Sequence, residues 1–255
     1  MRKALVCVSF GTTVANGRVD LSAVEQELQK SAPEYPFVRA LTSRIIRKRL
    51  AARGETFDSL PEALEKLLAA DCTQVAIQPT HLLYGYEYDK IRAEIEPYRQ
   101  RFSDCALGRP LLADTADLQA VAQVLGQAYP TRPEEALTLM GHGTEHFAGV
   151  VYAALQSAFA LQERKDIFVA TVEGWPGLSE VLPHIAKAGY RKVHLVPLLL
   201  VAGDHACHDM AGEDPQSWKN QLEEAGFSVR CTLEGLGRLP GIQQLYCKKL
   251  KEILE

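Results

Sequence analysis

Val193-His194-Leu195-Val196-Pro197-Leu198-Leu199-Leu200-Val201-Ala202-Gly203 is the densest apolar run of the chain. It is far shorter than the roughly 18 uninterrupted apolar residues of a membrane span, and from Val193 to Ala202 it has the length of a buried strand. The run has an echo. Val75-x3-Pro79-x5-Gly85 repeats the spacing of Val193-x3-Pro197-x5-Gly203, and a buried strand that recurs with the same punctuation predicts a repeated structural unit.

Working outward, the repeat extends in unchanged order. Phe10-Gly11-Thr12 matches His142-Gly143-Thr144, Phe37-Val38 matches Phe168-Val169, and Cys105-x-Leu107 matches Cys231-x-Leu233. Strands are expected at Ala4–Ser9, Phe37–Leu41, Val75–Gln78 and Cys105–Leu107, then near Leu137–Met140, Ile167–Val172, Val193–Leu199 and Val229–Leu233. Helical periods separate them: Asp20 precedes Leu21, Val24 and Leu28, Ser59 with Glu62 forms a capping box before Leu64, Leu67 and Leu68, and Ile91, Ile95 and Phe102 mark another helix. Further helices are expected near 147–162, 178–188, 215–225 and 240–254. Strands alternating with helices predict an α/β protein of two similar doubly wound parallel-sheet lobes. The lobes divide as 1–125 and 126–255, the break lying within 112–134 and punctuated by Pro130 and Pro133, with the last helix free to pack back on the first lobe.

Composition narrows the function. A formal charge of −4 over 255 residues argues against a nucleic-acid binder that works by neutralising phosphates and favours a small-molecule site. Cysteines at 7, 72, 105, 207, 231 and 247 form no CxxC pair, so neither a zinc ribbon nor an iron–sulfur cluster is indicated. The N-terminus runs directly into a strand without the long apolar region of a secretory signal, and no membrane span is expected, which predicts a soluble cytoplasmic protein. Oligomeric state is open, a homo-oligomer included.

In open parallel sheets ligands bind beyond the carboxyl ends of the strands. Those positions in the second half hold Gly141-His142-Gly143-Thr144-Glu145-His146, Glu173-Gly174 and Gly203-Asp204-His205. His142, Glu173 and His205 can therefore converge as a three-ligand divalent site with open coordination positions. The matched positions in the first half are Phe10, Thr42 and Glu87, so only the second half carries the metal set and Glu87 would face His205 as a helper carboxylate. His146 and His208 read as support or surface, Cys207 as a weaker ligand, and Tyr84, Tyr86 and Tyr88 as an aromatic wall or a half-buried strand end. His81 and His194 read as satisfied core residues and His184 as a partly exposed helix residue. Gly141-His142-Gly143 lacks the third glycine of a dinucleotide fingerprint, and no Walker or GxSxG motif occurs.

Taken together, Ser9-Phe10-Gly11-Thr12, Gly141-His142-Gly143, Glu173, Leu198-x2-Val201-Ala202-Gly203-Asp204-His205-Ala206-x2-Asp209-Met210 and Ser217-Trp218-Lys219 resemble the CbiK-type sirohydrochlorin cobaltochelatases over essentially the whole chain. The resemblance implies the class II chelatase fold, two α/β lobes with pseudo-twofold symmetry around a tetrapyrrole cleft. It implies Co2+ insertion into sirohydrochlorin in anaerobic cobalamin synthesis, with no organic cofactor. It carries the metal ligands onto His142, Glu173 and His205, with His142 also the proton acceptor. Tyr84, Tyr86 and His208 depart from the family's usual residues. Arg39, Arg44 and Lys90 are candidate partners for the substrate's carboxylates, and Glu87 or Glu145 could relay a second proton. A ferrochelatase using Fe2+ and a non-catalytic haem or metal carrier are the alternatives.

Overall fold

The computed structural model describes residues 2–254. Strands β1 (Arg2–Ser9), β2 (Phe37–Leu41), β3 (Cys72–Pro79) and β4 (Asp104–Leu107) form a parallel four-stranded sheet in the order β2-β1-β3-β4. Strands β5 (Glu135–Gly141), β6 (Ile167–Thr171), β7 (Lys192–Pro197) and β8 (Ser228–Cys231) form a second in the order β6-β5-β7-β8. The two orders are the same. Pro79 closes β3 opposite Val8, and Pro197 closes β7 opposite Met140, so the matched prolines occupy equivalent sheet positions.

Alternating side chains sort the core into layers. In β1, Ala4, Val6 and Val8 face one cluster with Leu60, Leu64 and Ile91, while Leu5 and Cys7 face the opposite way. In β5, Ala136 and Met140 join an outer cluster with Trp218 and Leu222, while Leu137 and Leu139 point inward. The inward sets of both sheets belong to one continuous core, so the two halves share their largest apolar cluster.

Helices flank the sheets: α1 (Ala15–Ser31), α2 (Arg44–Ala51), α3 (Leu60–Ala69), α4 (Tyr86–Ile95) and α5 (Thr115–Ala128), then α6 (Val150–Leu161), α7 (Leu178–Lys187), α8 (Trp218–Glu224) and α9 (Pro240–Lys251). The helix α5, which follows the first sheet, packs on α6 beside the second, whereas α9 packs on α1 and β3 beside the first. Tyr246 of α9 donates its hydroxyl hydrogen to the Thr80 carbonyl at 2.7 Å. Lys249 reaches Asp117 of α5 at 2.6 Å.

Several local expectations change. Asp20 does not precede the first helix: α1 starts at Ala15, and Asp20 lies inside it, fully buried. Phe102 lies beyond α4 but still packs into the outer core of the first sheet. Two helices, α2 and α5, occupy stretches the sequence left unassigned. The capping box at Ser59 and Glu62 forms as expected at the start of α3.

Candidate functional site

Each sheet reverses its direction of winding between its first and third strands, and such a switch point opens a crevice at the carboxyl edge. The two crevices face one another in a cleft of about 990 Å³. The first half contributes Phe10, His81, Tyr86 and Glu87 to its walls, and the second contributes His142, Glu173 and His205.

His142 follows β5 directly, in a turn that only glycines permit. A Cβ on Gly141 would lie 2.4 Å from the Tyr152 ring, whose hydroxyl accepts a hydrogen bond from the Gly143 amide at 3.2 Å. Gly143 has φ +86°, and a Cβ there would fall 1.5 Å from the Glu173 carbonyl oxygen. The Glu173 amide donates to the His142 carbonyl at 2.7 Å, tying the loops after β5 and β6 together.

One ligand atom from each of His142, Glu173 and His205 lies within 4.8 Å of the other two. His142 Nδ1 sits 3.8 Å from Glu173 Oε2, and the two imidazoles meet edge to face with centroids 4.5 Å apart. Metal bonds of about 2.0–2.2 Å place adjacent ligand atoms about 3–4 Å apart, so small side-chain rotations bring the three onto one ion. A carbonyl only accepts, so the 3.0 Å contact of His142 Nδ1 with the Gly143 oxygen puts the proton on Nδ1 and leaves the Nε2 lone pair free. His205 precedes a single π-helical turn over Ala206–Met210, and its Nδ1 lies 2.5 Å from Asp209 Oδ2. That carboxylate likewise fixes the tautomer with a free Nε2.

On the opposite wall Glu87 lies in the first turn of α4, and its Oε2 is buried without a hydrogen-bond partner. His81 is a correction. It lies beyond the end of β3 rather than inside the strand, lines the cleft, and has both ring nitrogens buried and unpartnered. Burial holds its pKa down to about 4, partly offset by the negative charge of Glu87. Its neighbours Leu82 and Leu83 made it look like core; the missed signal was its place after a strand end. His194 is a core histidine, but only Nε2 is satisfied, by Thr232 at 2.8 Å.

The remaining candidates separate cleanly. His146 Nδ1 accepts from the Ala148 amide, while Nε2 faces Asp89 at 3.3 Å, a bridge between the halves beside Tyr86. Glu145 lines the cleft, whereas His208 is exposed, with Nδ1 against the Asp204 carbonyl. Cys207 and His184 are outside the three-residue cluster. Arg39 is paired with the buried Glu25 at 2.7 Å and Lys90 donates to the Thr42 carbonyl at 2.7 Å, which leaves Arg44 exposed and unpaired among the described residues. Tyr88 is buried, bonded to the Gly108 carbonyl, and only Tyr86 of the three is largely exposed.

Two like parallel sheets whose carboxyl ends face one shared cleft are the architecture of the chelatases. The crystal structure of the sirohydrochlorin chelatase SirB from Bacillus subtilis subspecies spizizenii in complex with cobalt matches with a TM-score of 0.66 at 14% identity, covering 99% of this chain and 95% of that one. The cobalt chelatase (CbiK) family model matches residues 3–255, and the chain belongs to that family. The sirohydrochlorin cobaltochelatase of Salmonella typhimurium is 38% identical over 100% of this chain and 97% of its own length. Sirohydrochlorin cobaltochelatase CbiKC of Nitratidesulfovibrio vulgaris is 35% identical over 98% of this chain and 89% of its own length.

Proposed function

We propose that this chain inserts Co2+ into sirohydrochlorin, with His142, Glu173 and His205 holding the incoming ion and His142 accepting a pyrrole proton. The convergence of two imidazoles and a carboxylate at the cleft carries the reading. The names of the relatives above support the substrate.

Metallation replaces two N–H bonds by bonds to cobalt. Each N–H electron pair stays on its nitrogen and becomes a metal ligand, and each proton must go to a base. A neutral imidazole suits the task because it can bind an ion or take a proton near neutral pH. As the two ring nitrogens that carry no proton take the ion, His142 is released as a ligand, and its Nε2 accepts a proton from an N–H nitrogen, whose electron pair then binds cobalt. Glu87, with an unpartnered buried oxygen on the facing wall, takes the second. Glu145 is an alternative relay in the same cleft. The donor set discriminates Co2+ from Fe2+ weakly, so Fe2+ is the competing metal substrate and a competition assay ranks the two. All six cysteines are free, which fits the reducing conditions of the cytoplasm.

The test is the anaerobic initial rate of metallation at saturating Co2+ after subtraction of the spontaneous reaction. His142→Ala removes a ligand and a base together and is expected to lower the rate about 10²–10⁴-fold, with Glu87→Ala costing less. Wild-type protein that retains sirohydrochlorin but does not exceed the spontaneous rate is a carrier, and a folded His142→Ala protein with unchanged rate refutes the assignment.

A further inference from the structure

The helix α2 reads Arg44-Ile45-Ile46-Arg47-Lys48-Arg49-Leu50-Ala51, with Arg53 following, and the next acidic residue along the chain is Glu55. Such a concentration of positive charge is conspicuous in a chain of net charge −4. Two of the cations are already engaged. Arg47 pairs with Glu62 at 3.3 Å, and Arg53 donates to the carbonyl of Thr13, a residue of the cleft wall, at 2.9 Å. Arg44, Lys48 and Arg49 are exposed, and among the described residues none has a carboxylate within ion-pairing distance.

The helix is placed at the cleft. β2 ends at Leu41, and Ser43 caps α2 through its hydroxyl, so the helix starts on the same carboxyl edge that opens the crevice. Ile46 lines the cleft and sits beneath Gly11, where an added Cβ would meet it at 3.0 Å. Helical spacing then puts Ile45 and Arg49 on the stripe beside Ile46 and Arg44 and Lys48 on the next one round, so the three cations flank the cleft lining rather than form it. Ile45 is 64% exposed, so an apolar side chain lies among the free cations.

We propose that Arg44, Lys48 and Arg49 form an electrostatic landing strip that captures the peripheral carboxylates of the tetrapyrrole and guides it into the cleft. The inference rests on the tetrapyrrole reading above. The two substrates have opposite charge: the metal cation meets the wall that carries Glu173, and the polycarboxylate macrocycle meets a free cationic helix on the other half. Exposed charges near a cleft act mainly on the rate of encounter, and their effect fades as salt shortens the screening length to about 10 Å at 0.1 M and below. Their signature is therefore in kcat/KM and its salt dependence rather than in kcat.

The test compares wild type with the triple variant Arg44→Gln/Lys48→Gln/Arg49→Gln. The control is Lys187→Gln/Lys248→Gln/Lys251→Gln, which removes three exposed lysines from α7 and α9, helices that, unlike α2, contribute no residue to the cleft lining. Steady-state metallation is measured at low and high ionic strength, alongside metal-free sirohydrochlorin binding followed by absorbance. The α2 variant is expected to lose about tenfold in kcat/KM for sirohydrochlorin at low salt. Its kcat and its KM for Co2+ should hold, the loss should shrink at high salt, and metal-free binding should weaken in parallel. The control should change less than twofold. An α2 variant with the control's kinetics and binding overturns the inference, as does a loss confined to kcat. The binding titration needs no turnover, so a wild-type protein that fails to metallate defeats the catalytic reading while the role of α2 is still decided.

Discussion

Replacing Asp20 should loosen the fold and the metal cluster together. Its buried carboxylate reaches from α1 into the second half, where Oδ2 accepts from the amides of Ala202 at 2.8 Å and Gly235 at 3.0 Å. Its Oδ1 meets Arg238 Nε at 2.5 Å. Asp20→Ala leaves two amides without partners, at about 1–3 kcal/mol each, and takes from Arg238 its buried partner, leaving that guanidinium with Glu234 at 3.1 Å. Arg238 is still 27% exposed and can recover some hydration, so the expected total is about 3–5 kcal/mol, the lower part of the range for this many losses. Asp20→Asn keeps an oxygen for the amides but turns an NH2 toward Arg238, which costs about half as much. Ala202 lies just before His205, so both variants should also bind Co2+ more weakly. Urea unfolding followed by circular dichroism gives the stability, and calorimetric titration gives the affinity. A loss below about 1 kcal/mol in Asp20→Ala would refute the view that this carboxylate joins the halves.

Gly143→Ala should weaken Co2+ binding at least about tenfold in calorimetric titration, because the new Cβ would lie 1.5 Å from the Glu173 carbonyl oxygen at a φ of +86°. His194 gives a pH prediction. Burial holds its folded pKa down to about 4 against the ordinary 6.5, so the unfolded chain binds the extra proton between those values. The stability of the neutral form is present above pH 6.5 and is lost as pH falls toward 4, by about 1–3 kcal/mol. Urea midpoints measured across that window should fall more steeply in wild type than in His194→Gln, and parallel curves would exclude His194 as the source. Glu135 acts lower on the scale. Its hydrogen bonds to Arg230 hold its pKa down to about 2, so its stabilisation is present above the ordinary 4.5 and fades only below it, and Glu135→Gln should flatten the stability profile in that lower window.

The strands were legible because parallel sheets demand apolar runs and because the runs recur with the same Pro and Gly spacing at Pro79 and Gly85 as at Pro197 and Gly203. The convergence of His142, Glu173 and His205 was legible from one topological rule, that residues just beyond strand ends share an edge. Their chemical roles are carried by the proposal above. Helix α2 was not legible, since Arg44, Arg47, Lys48 and Arg49 leave only Ile45, Ile46 and Leu50 to mark a face. Helix α5 was hidden by reading Pro130 and Pro133 as part of a linker, although Asp114 and Asp117 form a capping box at its start. Asp20 resembled a helix cap because its real partners lie 182 and 215 residues away, beyond any local pattern.

Those distant partners bear on how the cleft can work. Val24 and Leu28 of α1, Val121 and Leu125 of α5, Phe159 of α6, and Ile242 and Tyr246 of α9 belong to the same buried core as the inward faces of both sheets. Swinging the halves apart about the segment that joins them would expose several of these side chains, at about 1.5–3 kcal/mol each, and would also break the Asp20 bonds. A hinge that costs so much is a poor route for repeated entry of a macrocycle. The groups that the proposed function uses lie elsewhere, in the loops and helix starts just after the strands: His81 and Glu87 on one wall, the His142 turn and Gly203 to His205, with the π-helical turn that follows, on the other. Substrate exchange is therefore expected to displace these loops over a fixed frame. Hydrogen exchange should find slow amides in β1, β5 and α9 that sirohydrochlorin leaves unchanged, and faster amides at 81–87, 142–146 and 203–210 that it protects. Protection spread evenly through α1 and α9 would instead point to opening of the whole frame.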